Sequence, residues 1–341
     1  MDKRILITGA TGFLGGRLLE KLATMPGMSL IATGRNPARR AAIEALGAQY
    51  LPGDLADPAF VESLLAACVG PEKSEECPLF VVHCAALSSP WGKYEEFERA
   101  NVISTRNLLE VSRRVGAKRF VNIGTPSIYA NFTDRLLVSE ADPLPEQMVN
   151  FYAATKLVAE REVLAANGQG IETISLRPRA LIGRGDTVIF PRVLRAYEEG
   201  RLRIIGDGNN VSDVTCVSNV VEAILLAISA PASALGQSYN ITNGEPLPLW
   251  ELFRYIFGEL RLPFAPTKIS YALVDRIAAV MEWTARNIRK GKEPTLTRYS
   301  ISTLAHSMTL DISLARTQLG YEPGQTVYEG IDEFLGSIKQ T

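Results

Sequence analysis

Apolar positions in the first half of the chain fall in short β-branched runs: RILIT (4–8), SLIAT (29–33), QYL (49–51), LFVVH (79–83), RFVNI (119–123) and ETISL (172–176). Between them the apolar period lengthens from two to roughly 3.6, which predicts amphipathic helices over about 13–24, 37–46, 58–68, 94–115 and 150–167. Strand and helix in alternation predict an α/β fold, a doubly wound parallel sheet covered on both faces. Beyond Arg177 the alternation loosens. A helix near 189–200, short strands near 202–205, 212–217 and 238–242, and helices near 218–229 and 248–260 describe a smaller lobe. The division is set at 1–178 and 179–341, with segments of the two parts interleaved in space. The polar segment GPEKSEECP (70–78) reads as a surface loop before the fourth strand.

Composition narrows the function classes. An apolar fraction of 46% with 21% charged residues belongs to a globular chain that can bury a core, not to a disordered one. With 36 basic and 37 acidic residues the net charge is −1, so no basic stripe points to nucleic acid. Cys68, Cys77, Cys84 and Cys216 lack CxxC spacing, which fits a reducing, cytoplasmic compartment. His83 and His306 have no metal-ligand spacing, so no metal site is expected. MDKRILITG runs straight into an apolar strand, which predicts no signal peptide, and no uncharged apolar run is long enough to span a membrane.

LITGATGFLGG sets Gly9, Gly12 and Gly15 after the first strand and at the mouth of a helix, the context that a dinucleotide turn requires. Gly9 makes the tight turn, Gly12 lets backbone approach a pyrophosphate and Gly15 allows close packing of helix on strand, while the helix N-terminus offers amide donors to phosphate. This assigns 1–178 to cofactor and leaves 179–341 for substrate. After the second strand IATGRNPARR carries Arg35 where an NAD-binding chain usually has an acid, which favours a 2′-phosphate and hence NADP(H) over NAD(H). The competing reading makes Arg35, Arg39 and Arg40 a solvated helix start. In GDLAD, Asp54 can accept from an adenine amino group or cap the helix beginning near Pro58.

NFYAATK places Tyr152 and Lys156 four residues apart, on one face of a helix. A cation beside a phenol lowers its pKa, so Lys156 is expected to make Tyr152 a usable acid/base for a carbonyl oxygen. NIGTPSIYA (122–130) follows the fifth strand and sets Thr125 and Ser127 at its C-terminal edge, where such sheets open their ligand crevice.

TGATGFLG, GDLAD, HCAA (83–86), ANVISTRNLL (100–109), IGTPSIY, YAATK and LRPRALIGRGD (176–186), in this order, resemble the extended branch of the short-chain dehydrogenases/reductases. The resemblance implies a Rossmann fold, Tyr152 as proton donor, Lys156 on the nicotinamide ribose lowering the tyrosine pKa, and Thr125 as their helper. It also implies cofactor contacts at Thr11, Phe13, Leu14, Leu55, Ala85, Ala86 and Arg179, a role for Asn101, and a homodimer through the helices at 94–115 and 150–167. Pro126 and Ser127 stand where nucleotide-sugar dehydratases carry an Asp-Glu pair, and Ser212 precedes Asp213 where many epimerases have an arginine. Both departures disfavour sugar-nucleotide chemistry.

SSPWGKYEEFERANV (88–102), GRLRIIGDGNNVSD (200–213), TNGEPLPLWELF (242–253) and EPTLTRYSI (293–301) resemble the 3β-hydroxysteroid and sterol-4-carboxylate dehydrogenase group, and more closely the bacterial 2-alkyl-3-oxoalkanoate reductases. The expectation is an NADP(H)-dependent oxidoreductase interconverting ketone and secondary alcohol on a hydrophobic substrate. The alternatives are a sterol dehydrogenase, a nucleotide-sugar epimerase retaining NAD, and an idle cofactor-sensing scaffold. A helical pattern over 270–290 aligns Leu273, Ile277, Val280, Met281, Thr284 and Ile288 and has a basic end, read as a lid packed on the core, a wall of an apolar tunnel, or a shallow contact with membrane or partner protein. Trp91 is a second candidate wall of the substrate site and Ser127 a second candidate substrate contact.

Overall fold

The computed structural model describes residues 2–69, 77–288 and 291–339, so most of the 70–78 segment and the basic end at 289–290 lie outside the described residues. Seven strands form one parallel sheet: β1 (Lys3–Thr8), β2 (Met28–Gly34), β3 (Gln49–Pro52), β4 (Leu79–His83), β5 (Arg119–Ile123), β6 (Glu172–Pro178) and β7 (Ser238–Ile241). Their spatial order is 7-6-5-4-1-2-3, reversing between β1 and β4, and the crevice at such a reversal is where doubly wound sheets bind ligands.

Side chains alternate across this sheet and both faces are buried, which is why its strands read as apolar runs. Ile5, Ile7, Phe80 and Val82 point into one core, built with helices α1 (Phe13–Ala23) and α5 (Val217–Ser229). Leu6, Leu79 and Val81 point into the other, built with α2 (Pro58–Val69), α3 (Ser104–Val115) and α4 (Phe151–Ala165). Both β7 and α5 lie beyond residue 178, so the later part of the chain closes the first core. A third cluster, with Phe190, Trp250, Phe253, Phe257, Val327 and Phe334, builds the lobe over the sheet's C-terminal edge.

Three local features differ from the sequence reading. The expected helix at 94–115 contains a π-helical stretch, Glu98–Ile103, between Tyr94–Phe97 and α3. The expected helix at 37–46 is a short 3₁₀ turn, Pro37–Arg39, followed by Arg40–Glu44. A strand at Arg135–Val138 was not anticipated, because Leu136 and Leu137 are both exposed and its partner, Met308–Leu310, is remote in sequence.

Candidate active site

At the nucleotide end, Gly9 has φ 67°, and a Cβ there would lie 2.8 Å from the Ala85 amide nitrogen, so the turn after β1 can pass the exit of β4 only as glycine. A Cβ on Gly15 would press on the Gly9 carbonyl, which is the close helix-to-strand packing expected of it. Helix α1 starts at Gly12 in extended backbone, with no side-chain cap and no acid in its first turn, leaving its amides and dipole open to phosphate. A groove of about 260 Å³ continues from this turn past Thr11, Arg35, Asp54, Leu55, Ala85 and Ala86. These residues fit a dinucleotide.

Arg35 is exposed on this groove, whereas Arg40 is engaged by Glu44 (2.7 Å) and the Tyr50 carbonyl (3.0 Å). Asp54 does not cap α2. Its Oδ1 accepts from the Ala56 amide at 3.0 Å and its Oδ2 pairs with Arg99 at 2.8 Å, while Asp57 accepts from Ala59 at the helix start. Partial burial raises the Asp54 carboxyl, but the Ala56 amide and Arg99 outweigh it and hold the group below the usual carboxylate range. Arg99, the ion-pair partner of Asp54, was missed in the sequence because the two lie 45 residues apart.

At the other end of the crevice, α4 is capped by Asn150, whose side chain accepts from the Ala153 amide at 2.8 Å. The cap sets Tyr152 in the first turn and Lys156 one turn later, both lining a cavity of about 580 Å³. Asn101, fully buried in the π-helical stretch, accepts from the Leu87 amide (2.7 Å) and donates to Thr155 (3.1 Å), tying the β4 exit to α4. Glu160 on α4 accepts from Ser175 (2.8 Å) and Arg177 (Nε to Oε1, 3.0 Å) on β6, and Arg177 also donates to the Tyr129 hydroxyl. This buried network joins α4 to the β5 exit that carries Thr125.

Thr125 donates to the Ser127 hydroxyl (3.1 Å), which bonds the Tyr299 hydroxyl (2.9 Å). Tyr152, Thr125 and Ser88 line the same cavity, and the Thr125 and Ser88 hydroxyls act on the Tyr152 phenol. Sequence reasoning missed Ser88 and Tyr299 as members of this cluster; Tyr299 arrives from 172 residues beyond Ser127.

The electrostatics correct one expectation. Burial raises the Tyr152 pKa, Thr125 and Ser88 oppose the rise, and Lys156 is not among the groups that lower it. Lys156 is itself pushed down to about 8 by burial, against the pull of Glu160 and Cys84. His83, held between Thr8 (2.8 Å) and Thr105 (2.9 Å), is pushed down to about 3 by burial and then by Lys156, so it stays neutral.

The cavity beyond Tyr152 is walled chiefly by apolar side chains, among them Leu202, Val214, Leu249, Leu252, Phe253 and Leu304. Phe13, Leu14, Ser127 and Arg179 also face it. Trp91 does not: its indole N–H donates to the Gly291 carbonyl (2.9 Å) and its ring lies under Arg286. Nor does the helix Tyr271–Asn287 supply a wall. It packs inward through Val274, Ala278 and Ala285 and turns Leu273, Ile277, Val280 and Trp283 to solvent, because the small residues permit the closer approach. Among the described residues no cluster suits a metal ion, and no helix is long and apolar enough to cross a membrane.

Residues 5–242 match the family model of the NAD dependent epimerase/dehydratase family. The chain is 35% identical to the 2-alkyl-3-oxoalkanoate reductase of Stenotrophomonas maltophilia, over 98% of this chain and 99% of that protein. It is 28% identical to a Candida albicans sterol-4-alpha-carboxylate 3-dehydrogenase (decarboxylating), over 97% and 96% of the two chains. The UDP-glucuronic acid 4-epimerase of Bacillus cereus, solved with NAD, shares the fold with a TM-score of 0.74 at 21% identity, over 99% of both chains. With the glycine turn, the doubly wound sheet and the Tyr152 cluster in one crevice, the chain belongs to the NAD dependent epimerase/dehydratase family of extended short-chain dehydrogenases/reductases and is an NAD(P)-dependent oxidoreductase acting on CH–OH groups.

Proposed function

We propose that this enzyme interconverts a ketone and a secondary alcohol on a hydrophobic 3-oxo acid of the 2-alkyl-3-oxoalkanoate class, with NADP(H). The observation that carries this reading is the apolar cavity of about 580 Å³, which converges on the Tyr152, Thr125 and Ser88 hydroxyls. A cavity of that size and lining suits a compound with a large apolar body. When bound, the nicotinamide supplies hydride to the carbonyl carbon. Tyr152 gives its phenolic proton to the carbonyl oxygen, and Thr125 and Ser88 orient that oxygen. Lys156 faces the same cavity one helical turn from Tyr152 and would hold the nicotinamide ribose. Arg35, on the groove with no acid at the β2 exit, supports the 2′-phosphate.

The test is cofactor oxidation with 2-alkyl-3-oxo acids, 3-oxosteroids and nucleotide sugars, each with NADPH and NADH. Reduction of the oxo acids that falls about 10²- to 10⁴-fold in Tyr152→Phe is expected; undiminished activity in that variant refutes the mechanism. Turnover of the steroids alone would favour a sterol dehydrogenase. A homodimer through Tyr94–Phe97, α3 and α4 is supported by the exposed Tyr94, Phe151 and Val158, and light scattering at twice the chain mass checks it. The outer face of Tyr271–Asn287 supports contact with an anionic lipid surface. Its Asp275 is paired with Arg298, which leaves Arg276 beside exposed Leu273, Ile277, Val280 and Trp283.

A further inference from the structure

Four charged side chains line the large cavity: Lys156, Arg179, Asp186 and Arg192. Three of them have a place already. Lys156 stands beside Tyr152 on α4. Asp186 is consumed by the start of the next helix, accepting from the amides of Val188 (2.7 Å), Ile189 (3.1 Å) and Phe190 (2.9 Å). Arg192 is exposed.

Arg179 is different. A guanidinium carries five N–H donors, and here Nη2 meets the Ser212 hydroxyl at 3.2 Å while Nε is buried without a partner. Among the described residues it makes no ion pair. Asp213 is the nearby carboxylate, but its Oδ2 accepts from the Leu310 amide at 2.6 Å, and burial pushes its carboxyl up to about 6. A buried guanidinium N–H without an acceptor is costly, and at a cavity wall an anion brought in with the ligand supplies one. The position is informative as well. Arg179 follows β6 directly, at the sheet edge that also carries Thr125 after β5. Tyr299, bonded to Ser127, lines the same cavity as Tyr152 and Arg179, so the carbonyl site and the cation open into one space.

We propose that Arg179 is an anion subsite that takes the carboxylate of a 3-oxo acid while the ketone meets Tyr152, so that the enzyme selects ionised oxo acids over esters and sterones of equal bulk. The assignment rests on the ketone-reductase reading of the cavity and departs from a cofactor role for Arg179. A 3-oxo acid carries its carboxylate one carbon removed from the reacting carbonyl, so a single ligand in this cavity presents an anion and a ketone together, and its alkyl chains suit the apolar walls.

Calorimetry on the full chain saturated with oxidised cofactor, using decanoate and methyl decanoate as probes, tests it without turnover. Wild type is expected to bind decanoate ten- to a hundred-fold more tightly than its ester, the scale of a charge-assisted hydrogen bond. Arg179→Met is expected to bind the two probes equally, and Arg179→Lys to keep part of the gap. Thermal melts show that the variants fold. Equal binding of acid and ester by wild type, or a gap that persists in Arg179→Met, overturns the assignment. Absence of ketone reduction by wild type instead overturns the functional reading, whatever the acid/ester gap.

Discussion

Lys156 should reduce the stability of the fold it serves. The side chain is 2% exposed, and burial pushes its ammonium from the ordinary 10.5 to about 8, with Glu160 and Cys84 opposing. The unfolded chain keeps the ordinary value, so at about 1.36 kcal/mol per pH unit the folded state disfavours charged Lys156 by roughly 3 kcal/mol. Below about pH 8 the lysine is charged in both states and the deficit is complete. Between about 8 and 10.5 the folded state is already neutral while the unfolded state still holds its proton, so the deficit shrinks as pH rises. Above 10.5 both are neutral and it vanishes. Lys156→Met keeps the apolar stem and removes the charge. Urea unfolding at pH 7 should show the variant more stable by up to about 3 kcal/mol, while ketone reduction drops to background. The difference between variant and wild type should narrow from pH 8 to 10.5, a comparison that cancels the tyrosines and thiols titrating in the same range. A variant no more stable than wild type at pH 7, or a difference flat across that window, would refute the reasoning.

Three further outcomes are expected. Arg177→Met leaves the Glu160 carboxylate buried without its guanidinium, which should cost about 3–5 kcal/mol in urea unfolding; adding Glu160→Gln should recover part of it, since the pair is 3% and 8% exposed. Arg35→Asp should lower kcat/KM with NADPH about ten-fold or more while sparing NADH, measured as cofactor-specific initial rates. Co-sedimentation with anionic vesicles should fall at least several-fold for Ile277→Glu combined with Val280→Glu, with the thermal melt unchanged, because both side chains are exposed.

Much of the site's frame could be read from local spacing. Gly9, Gly12 and Gly15 announced a turn because Gly9 and Gly15 sit where a Cβ would strike backbone, and Tyr152 and Lys156 announced a shared face because helical periodicity is local. The partners were not legible. Ser88 and Tyr299 are ordinary residues until the fold delivers them to Tyr152, and Trp91 suggested a cavity wall when its indole N–H is in fact held by Gly291. The stripe on Tyr271–Asn287 was legible as a stripe, but its direction was not. Periodicity shows that two faces differ, while the packing surface decides which is covered, and here the small residues face inward.

What the chain's order of residues determined alone is the strands of the main sheet, most of its helices and the candidate reacting groups: strands that must be buried on both faces, a glycine turn open to phosphate, and a tyrosine with a lysine one turn on. These follow from periods and propensities that act over a few residues. Only the tertiary structure decided how the groups are tuned. Burial, not sequence neighbourhood, raises Tyr152 and lowers Lys156, and it is burial among remote segments that leaves Arg179 facing the cavity without an ion-pair partner among the described residues. Desolvation depends on everything packed around a charge, and those neighbours come from the whole chain.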